Sequence, residues 1–185
     1  RDMGTTMAHD EKFRVEGGRP LSGTVSVSGN KNEALPVLAA CLMTEADVTI
    51  RNLPLIGDVL VLADMLRGMG VRIEPQAQDT HAWRVAAPNV QADALDRDLF
   101  RRIRASITLA APLLHRCGKV TLPIPGGDKI GKRRLDTHLL ALQEMGVEIF
   151  EEASAYLLRC REGLRGADLW LDEASVTGTE NVVLA

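Results

Sequence analysis

The sequence predicts an α/β (α+β) protein assembled from a repeated βαβαββ unit. Three observations predict it. Leu38-Ala39-Ala40 recurs as Leu109-Ala110-Ala111, Val48-Thr49 as Val120-Thr121, and Met69-Gly70-Val71 as Met145-Gly146-Val147. The recurrences keep one order, and a further Leu-Ala follows at Leu184-Ala185. Between them, strand-like and helix-like segments alternate in the same sequence each time, as expected of one folding unit used several times.

The first unit, about residues 22–90, opens with small and apolar residues alternating over 23–28 (GTVSVS), a strand pattern. An apolar helix over 31–43 follows, introduced by a capping-box-like Asn30-x-x-Glu33. A β-branched strand covers 48–51. A helix over 58–69 ends at Gly70, a suitable C-cap. Strands at 71–74 and 83–86 close the unit. The second unit, about 91–165, gives a helix over 99–116, a strand over 119–122, a helix over 136–145, and strands over 147–150 and 156–160. The third, 166–185, reaches only a strand over 168–171 and a helix over 177–185. A unit interrupted in mid-helix leaves an apolar face uncovered, so the expectation is a fragment of a larger protein. Residues 1–12 carry no periodicity and read as a disordered extension or tag ahead of a domain over 13–185.

Composition narrows the function. Of 185 residues 45% are hydrophobic and 25% charged, ordinary for a globular chain with one substantial core. A net charge of −3 and 3% aromatics argue against nucleic-acid binding, which needs a basic surplus or stacking platforms. The longest apolar run, 34–43, is too short to span a bilayer. Cys41, Cys117 and Cys160 are widely spaced, without metal-ligand spacing, and read as reduced, core-packed thiols in a cytoplasmic protein.

The stretch 125–138, PGGDKIGKRRLDTH, carries the chemistry. Adjacent glycines lead to Asp128, and Lys129, Lys132, Arg133, Arg134 and His138 surround Asp136. A carboxylate beside clustered cations suits proton transfer next to an anionic substrate. The plainer alternative is a polar turn with Asp136 as the N-cap of the next helix.

Five segments in order now match a family: SGNKNEALP (28–36), NLPLIGDV (52–59), RIRAS (102–106), LPIPGGDKIGKRRLDTH (122–138) and ASVTGTEN (174–181). The chain resembles, from about Phe13 to Ala185, the N-terminal part of the UDP-N-acetylglucosamine 1-carboxyvinyltransferases, enolpyruvyl transferases of peptidoglycan synthesis. The resemblance implies a two-domain fold of inside-out α/β barrels, helices inside and sheets outside, of which the second domain is absent here. It implies transfer of the enolpyruvyl group of phosphoenolpyruvate to the 3′-hydroxyl of UDP-N-acetylglucosamine, with no metal and no organic cofactor. The partners implied are these two small molecules, not nucleic acid or membrane. The fragment alone is expected to be inactive, and its uncovered helices could support a homodimer.

The same resemblance suggests roles. Lys31 would face the phosphoenolpyruvate phosphate, with Asn32 bonding the reacting intermediate; both begin a helix, where exposed N–H groups favour anions. Arg104 would grip phosphate, and Arg133 would span both substrates. Leu135 and Asp136 would lie by the uridine, and Ser175, Val176 and Thr177 by the pyrophosphate. Gly126 and Gly127 would be hinges of a lid. Asp128 stands where most members carry cysteine and would be the general acid, giving its proton to C3 of phosphoenolpyruvate. Fosfomycin alkylates that cysteine, so the parent enzyme is expected to be insensitive. Thr137, Arg134, Thr108 and Glu173 depart from common family residues, which leaves open a paralogue with another nucleotide acceptor, or a non-catalytic UDP-sugar-binding fragment. The shikimate-pathway transferase and an RNA 3′-phosphate cyclase of related fold fit the loop and the acidic balance less well.

Overall fold

The computed structural model describes residues 14–126 and 135–185. Two three-stranded antiparallel sheets share one layout. β1 (Val48–Ile50), β2 (Arg72–Gln76) and β3 (Asp79–Ala86) are ordered β1-β3-β2, and β4 (Lys119–Pro123), β5 (Glu148–Glu152) and β6 (Ala155–Arg159) are ordered β4-β6-β5. In both, the middle strand is the last of its unit, with Val48 opposite Val85 in one and Leu122 opposite Tyr156 in the other. The fold is α+β with no closed barrel among the described residues.

The helices fill the space behind the sheets. α1 (Lys31–Ala40) runs into a 3₁₀ turn at Cys41–Met43; α2 is Gly57–Gly68; α3 is Arg97–Arg102; α4 is Ala110–Cys117; α5 is Asp136–Glu144; α6 is Val176–Val183. The repeated Leu-Ala-Ala lies at the centre: Leu38, Ala39, Leu109, Ala110 and Ala111 are fully buried. Alanines there let neighbouring backbones approach while leucines fill the remaining volume. The sheets keep one face to water, with Glu148, Phe150 and Glu152 at alternate positions of β5 exposed. Among the described residues no helix is long and apolar enough to cross a membrane.

The repeated Met-Gly-Val has a local cause. Gly70 and Gly146 have φ of 91° and 93°, conformations a side chain would strain. Each follows a helix C-cap, Met69 or Met145. The next N–H, from Val71 or Val147, reaches back to Leu66 O or Leu142 O, closing a Schellman motif twice.

Four expectations are corrected. The helix expected over 99–116 is broken into α3, a 3₁₀ segment Arg104–Leu109, and α4. Ile103 is extended, and the Ser106 hydroxyl lies 2.8 Å from Phe100 O and 2.7 Å from Ile103 O, occupying carbonyls a continuous helix would have used. The segments 23–28 and 168–171 are not strands: no ladder partner lies beside them among the described residues, and Val25, Val27 and Trp170 stand exposed. Asp136 is the first residue of α5, whose N-cap is Leu135. Cys117 is exposed at the end of α4, unlike Cys41 and Cys160; burial pushes the Cys41 thiol up to about 11.

Arg116 joins the two units. Its guanidinium donates to Leu42 O (2.7 Å), Ala87 O (3.1 Å) and Pro88 O (3.1 Å), and its side chain is only 14% exposed. A lysine offers a point charge without the planar fork. Arg116→Lys is expected to lower unfolding stability by about 2 kcal/mol, and Arg116→Met by about 3 kcal/mol because the carbonyls lose every partner. Urea denaturation of the three chains checks this; equal midpoints would contradict it.

Candidate functional site

The site candidates begin at helix ends. Asn30 caps α1, its Oδ1 accepting from Asn32 N at 2.7 Å. Lys31, the first helical residue, is partly exposed and its Nζ lies 3.0 Å from Asp58 Oδ2 in the first turn of α2. Asn32 is exposed on the same turn. α1 and the Arg104–Leu109 segment pack against each other, so the Lys31 and Arg104 helices are neighbours.

The second group gathers α5, α6 and Arg104. Ser175 caps α6, its Oγ accepting from Gly178 N at 3.1 Å. Val176 is exposed on the first turn. Thr177 Oγ1 lies 3.3 Å from His138 Nε2, and His138 Nδ1 lies 3.3 Å from Asn181 Nδ2. Asn181, 1% exposed, in turn accepts from Ala111 N at 3.2 Å through Oδ1. Thr137, beside His138, donates to Asp172 Oδ1 at 2.7 Å and ties α5 to the segment before α6.

His138 is therefore not a cation of the basic cluster, as its sequence context suggests. It is buried, and burial first, then the nearby Arg104 guanidinium, pulls its pKa down to about 4. The imidazole is neutral at pH 7. Asp136 is half-buried near Tyr156, whose phenol is pushed up by burial, then Glu151, then Asp136.

Leu135 is buried in the core, so a ligand beside it would meet backbone rather than side chain. Gly126, three residues after β4, lies so close to the end of α3 that an added Cβ would stand 1.6 Å from Arg101 O, an approach that requires glycine. Asp128 and Arg133, with Gly127, Lys129, Lys132 and Arg134, lie outside the described residues. The structure thus brings Arg104, Asp136, Ser175 and Thr177 around one pair of helix starts, while Lys31 and Asn32 lie on α1, which packs against the Arg104–Leu109 segment. Sequence reading missed Asp58 as the Lys31 partner and Asn181 as the hub. Asn181 did leave a signal, a lone amide ahead of the apolar VVLA run. Among the described residues no cluster of His, Cys, Asp or Glu could hold a metal ion.

Repeated α+β units here place cations and hydroxyls at clustered helix starts. The pattern of the EPSP synthase (3-phosphoshikimate 1-carboxyvinyltransferase) family matches residues 15–185, and the chain belongs to that family. Curated relatives named UDP-N-acetylglucosamine 1-carboxyvinyltransferase include those of Bradyrhizobium diazoefficiens, 49% identical over 174 residues, and Porphyromonas gingivalis, 44% identical over 179. These alignments cover 94% of this chain and 39% and 41% of the relatives, so the chain spans about two fifths of their length. Among solved structures, the enolpyruvyl transferase NikO from Streptomyces tendae superimposes with a TM-score of 0.72 at 25% identity, covering 91% of this chain and 39% of that one. EPSP synthase from Acinetobacter baumannii shares the fold at a TM-score of 0.62 and 19% identity, over 88% and 37%.

The buried histidine makes stability depend on pH. Its pKa is about 4 folded against an ordinary 6.5, so in this window the unfolded chain binds the extra proton. The contribution is complete above pH 6.5 and is lost as pH falls towards 4, amounting to about 3 kcal/mol. Denaturant titrations from pH 7.5 to 4 should show a slope that flattens in His138→Gln; identical profiles would contradict the assignment.

Proposed function

We propose that the protein transfers the enolpyruvyl group of phosphoenolpyruvate to the 3′-hydroxyl of UDP-N-acetylglucosamine, with this chain supplying one wall of the site. The observation that carries the reading is the grouping of Arg104, Ser175 and Thr177 where the Arg104–Leu109 segment, α5 and α6 meet, with the same segment also packing against α1, which begins with Lys31. An N-terminus with hydroxyls, flanked by a guanidinium, favours a diphosphate. A first-turn lysine on α1, which packs against the Arg104–Leu109 segment, favours the second anion, phosphoenolpyruvate. The names of the curated relatives supply the acceptor.

In this reading Lys31 and Arg104 hold the phosphoenolpyruvate phosphate and balance its charge as it leaves. The sugar hydroxyl loses its proton as its oxygen bonds to C2 and C3 takes a proton; the adduct then loses inorganic phosphate from C2 and a proton from C3, which restores the double bond. Asp128 donates to C3 and Arg133 bridges the substrates; both roles rest on their place in the sequence. A free carboxyl is protonated in about one molecule in a thousand at pH 7, so Asp128 needs bound anions to raise its pKa against the surrounding cations. Asn32, Leu135, Asp136 and Val176 complete the nucleotide-sugar contacts.

A second reading keeps the transfer and changes the acceptor. Glu173 is exposed two residues before the α6 cap, where a carboxylate repels a diphosphate, and NikO shows that the fold serves an enolpyruvyl transferase at much lower identity.

Calorimetry with UDP-N-acetylglucosamine, followed by phosphate release on adding phosphoenolpyruvate, tests these readings. Binding with release is expected for the active protein, with release reduced at least a hundredfold in Lys31→Ala. Binding without release identifies a UDP-sugar-binding module. Absence of binding overturns the acceptor.

A further inference from the structure

We infer that His138 is a positioning residue that turns the Thr177 hydroxyl into a hydrogen donor at the start of α6, where it and the Ser175 hydroxyl meet the acceptor's diphosphate. The diphosphate rests on the proposed function; the hydroxyl's polarity rests on geometry alone.

The polarity follows from one fixed donor. The Ala111 N–H can only donate, so the Asn181 atom 3.2 Å away is its carbonyl oxygen, Oδ1. The amide nitrogen Nδ2 must then face His138 Nδ1, at 3.3 Å. A second N–H can only donate there, so Nδ1 accepts and carries no hydrogen. A neutral imidazole with a bare Nδ1 carries its hydrogen on Nε2, and Nε2 lies 3.3 Å from Thr177 Oγ1. The hydroxyl oxygen therefore accepts, and its own hydrogen is left for another group.

That hydrogen has no helical carbonyl to claim it. Thr177 is the second residue of α6, and no turn of helix precedes it. Thr179, two residues nearer the middle, behaves in the usual way and donates to Ser175 O at 2.8 Å. Ser175 repeats the Thr177 arrangement by another route: its Oγ accepts from Gly178 N, so its hydrogen is also free to point outwards. Two hydroxyls with occupied acceptor sites thus stand at a helix start that already favours anions. The nearby Arg104 adds attraction, whereas the hydroxyls add direction.

Nitrogen-resolved NMR of the whole chain at pH 7 reads the tautomer without any ligand. The hydrogen of His138 is expected on Nε2; a hydrogen on Nδ1, or a doubly protonated ring, overturns the inference. Calorimetry reads the consequence. Thr177→Val should weaken UDP-N-acetylglucosamine binding about tenfold, Thr177→Ser should restore it, and uridine should bind the wild type and Thr177→Val alike. Unchanged UDP-N-acetylglucosamine affinity in Thr177→Val overturns the role in diphosphate binding. If the wild type binds no UDP-N-acetylglucosamine, the acceptor reading falls, and the tautomer still decides what His138 does.

Discussion

Helices that begin and end in a dry interior must find partners for their terminal backbone groups, and this constraint organises the molecule. α4 starts between fully buried Leu109 and Ala111, where its first N–H groups cannot reach water. Asn181 of α6 supplies an acceptor to Ala111. At the other end of α4, Arg116 satisfies a carbonyl within the Cys41–Met43 turn and two after β3. The Ser106 hydroxyl shares its one hydrogen between Phe100 O and Ile103 O at the break between helices. Among the described residues no buried side-chain polar atom lacks a partner. Asn181 and Arg116 reach across units, so the units are not independent modules in the way their sequence repetition suggests.

The site inherits its geometry from the same requirement. Asn181 is needed to satisfy Ala111, and that bond fixes which way its amide faces. The amide then fixes His138, and His138 faces the first turn of α6. α5 carries His138 and Thr137 on adjacent positions, so one helix start is tied both to Thr177 and, through Thr137, to Asp172. Packing, hydrogen bonding and the arrangement of hydroxyls are therefore a single structure viewed at three scales. A substitution at Asn181 would disturb all three together, which makes His138 and Thr177 the more informative positions for separating support from binding.

What could be read from the sequence was local. Met-Gly-Val repeats because a Schellman turn needs glycine at one place and an apolar residue after it, so the two α2- and α5-ending turns were legible. β-branched and alternating residues located all six strands of the two sheets to within a few positions. The break at Ile103 was not legible, because apolar periodicity runs through 99–116 and the disrupting agent is one serine hydroxyl. Residues 23–28 and 168–171 have strand composition, but a strand exists only when a neighbour receives its hydrogen bonds. Ser175 was readable as a cap. His138 was misread as a cation because charge state is set by burial, and burial is a property of the whole fold.

The neutral state of His138 also bears on how the proposed anion site would gain selectivity. A histidinium there would add attraction beside Arg104, but attraction falls off slowly and hardly distinguishes one anion from another. It would also place two N–H donors where Asn181 needs an acceptor, so the amide would have to turn and leave Ala111 unsatisfied. The neutral ring avoids both outcomes and gives Thr177 a defined polarity. Cations on neighbouring segments can then provide strength, while oriented hydroxyls on α6 provide geometry. Because the ring's state is held by burial, this division persists in the folded protein down to about pH 4, although stability begins to fall once the pH drops below 6.5. The same buried contact that keeps the helices together thus sets the direction in which the helix start offers its hydrogens.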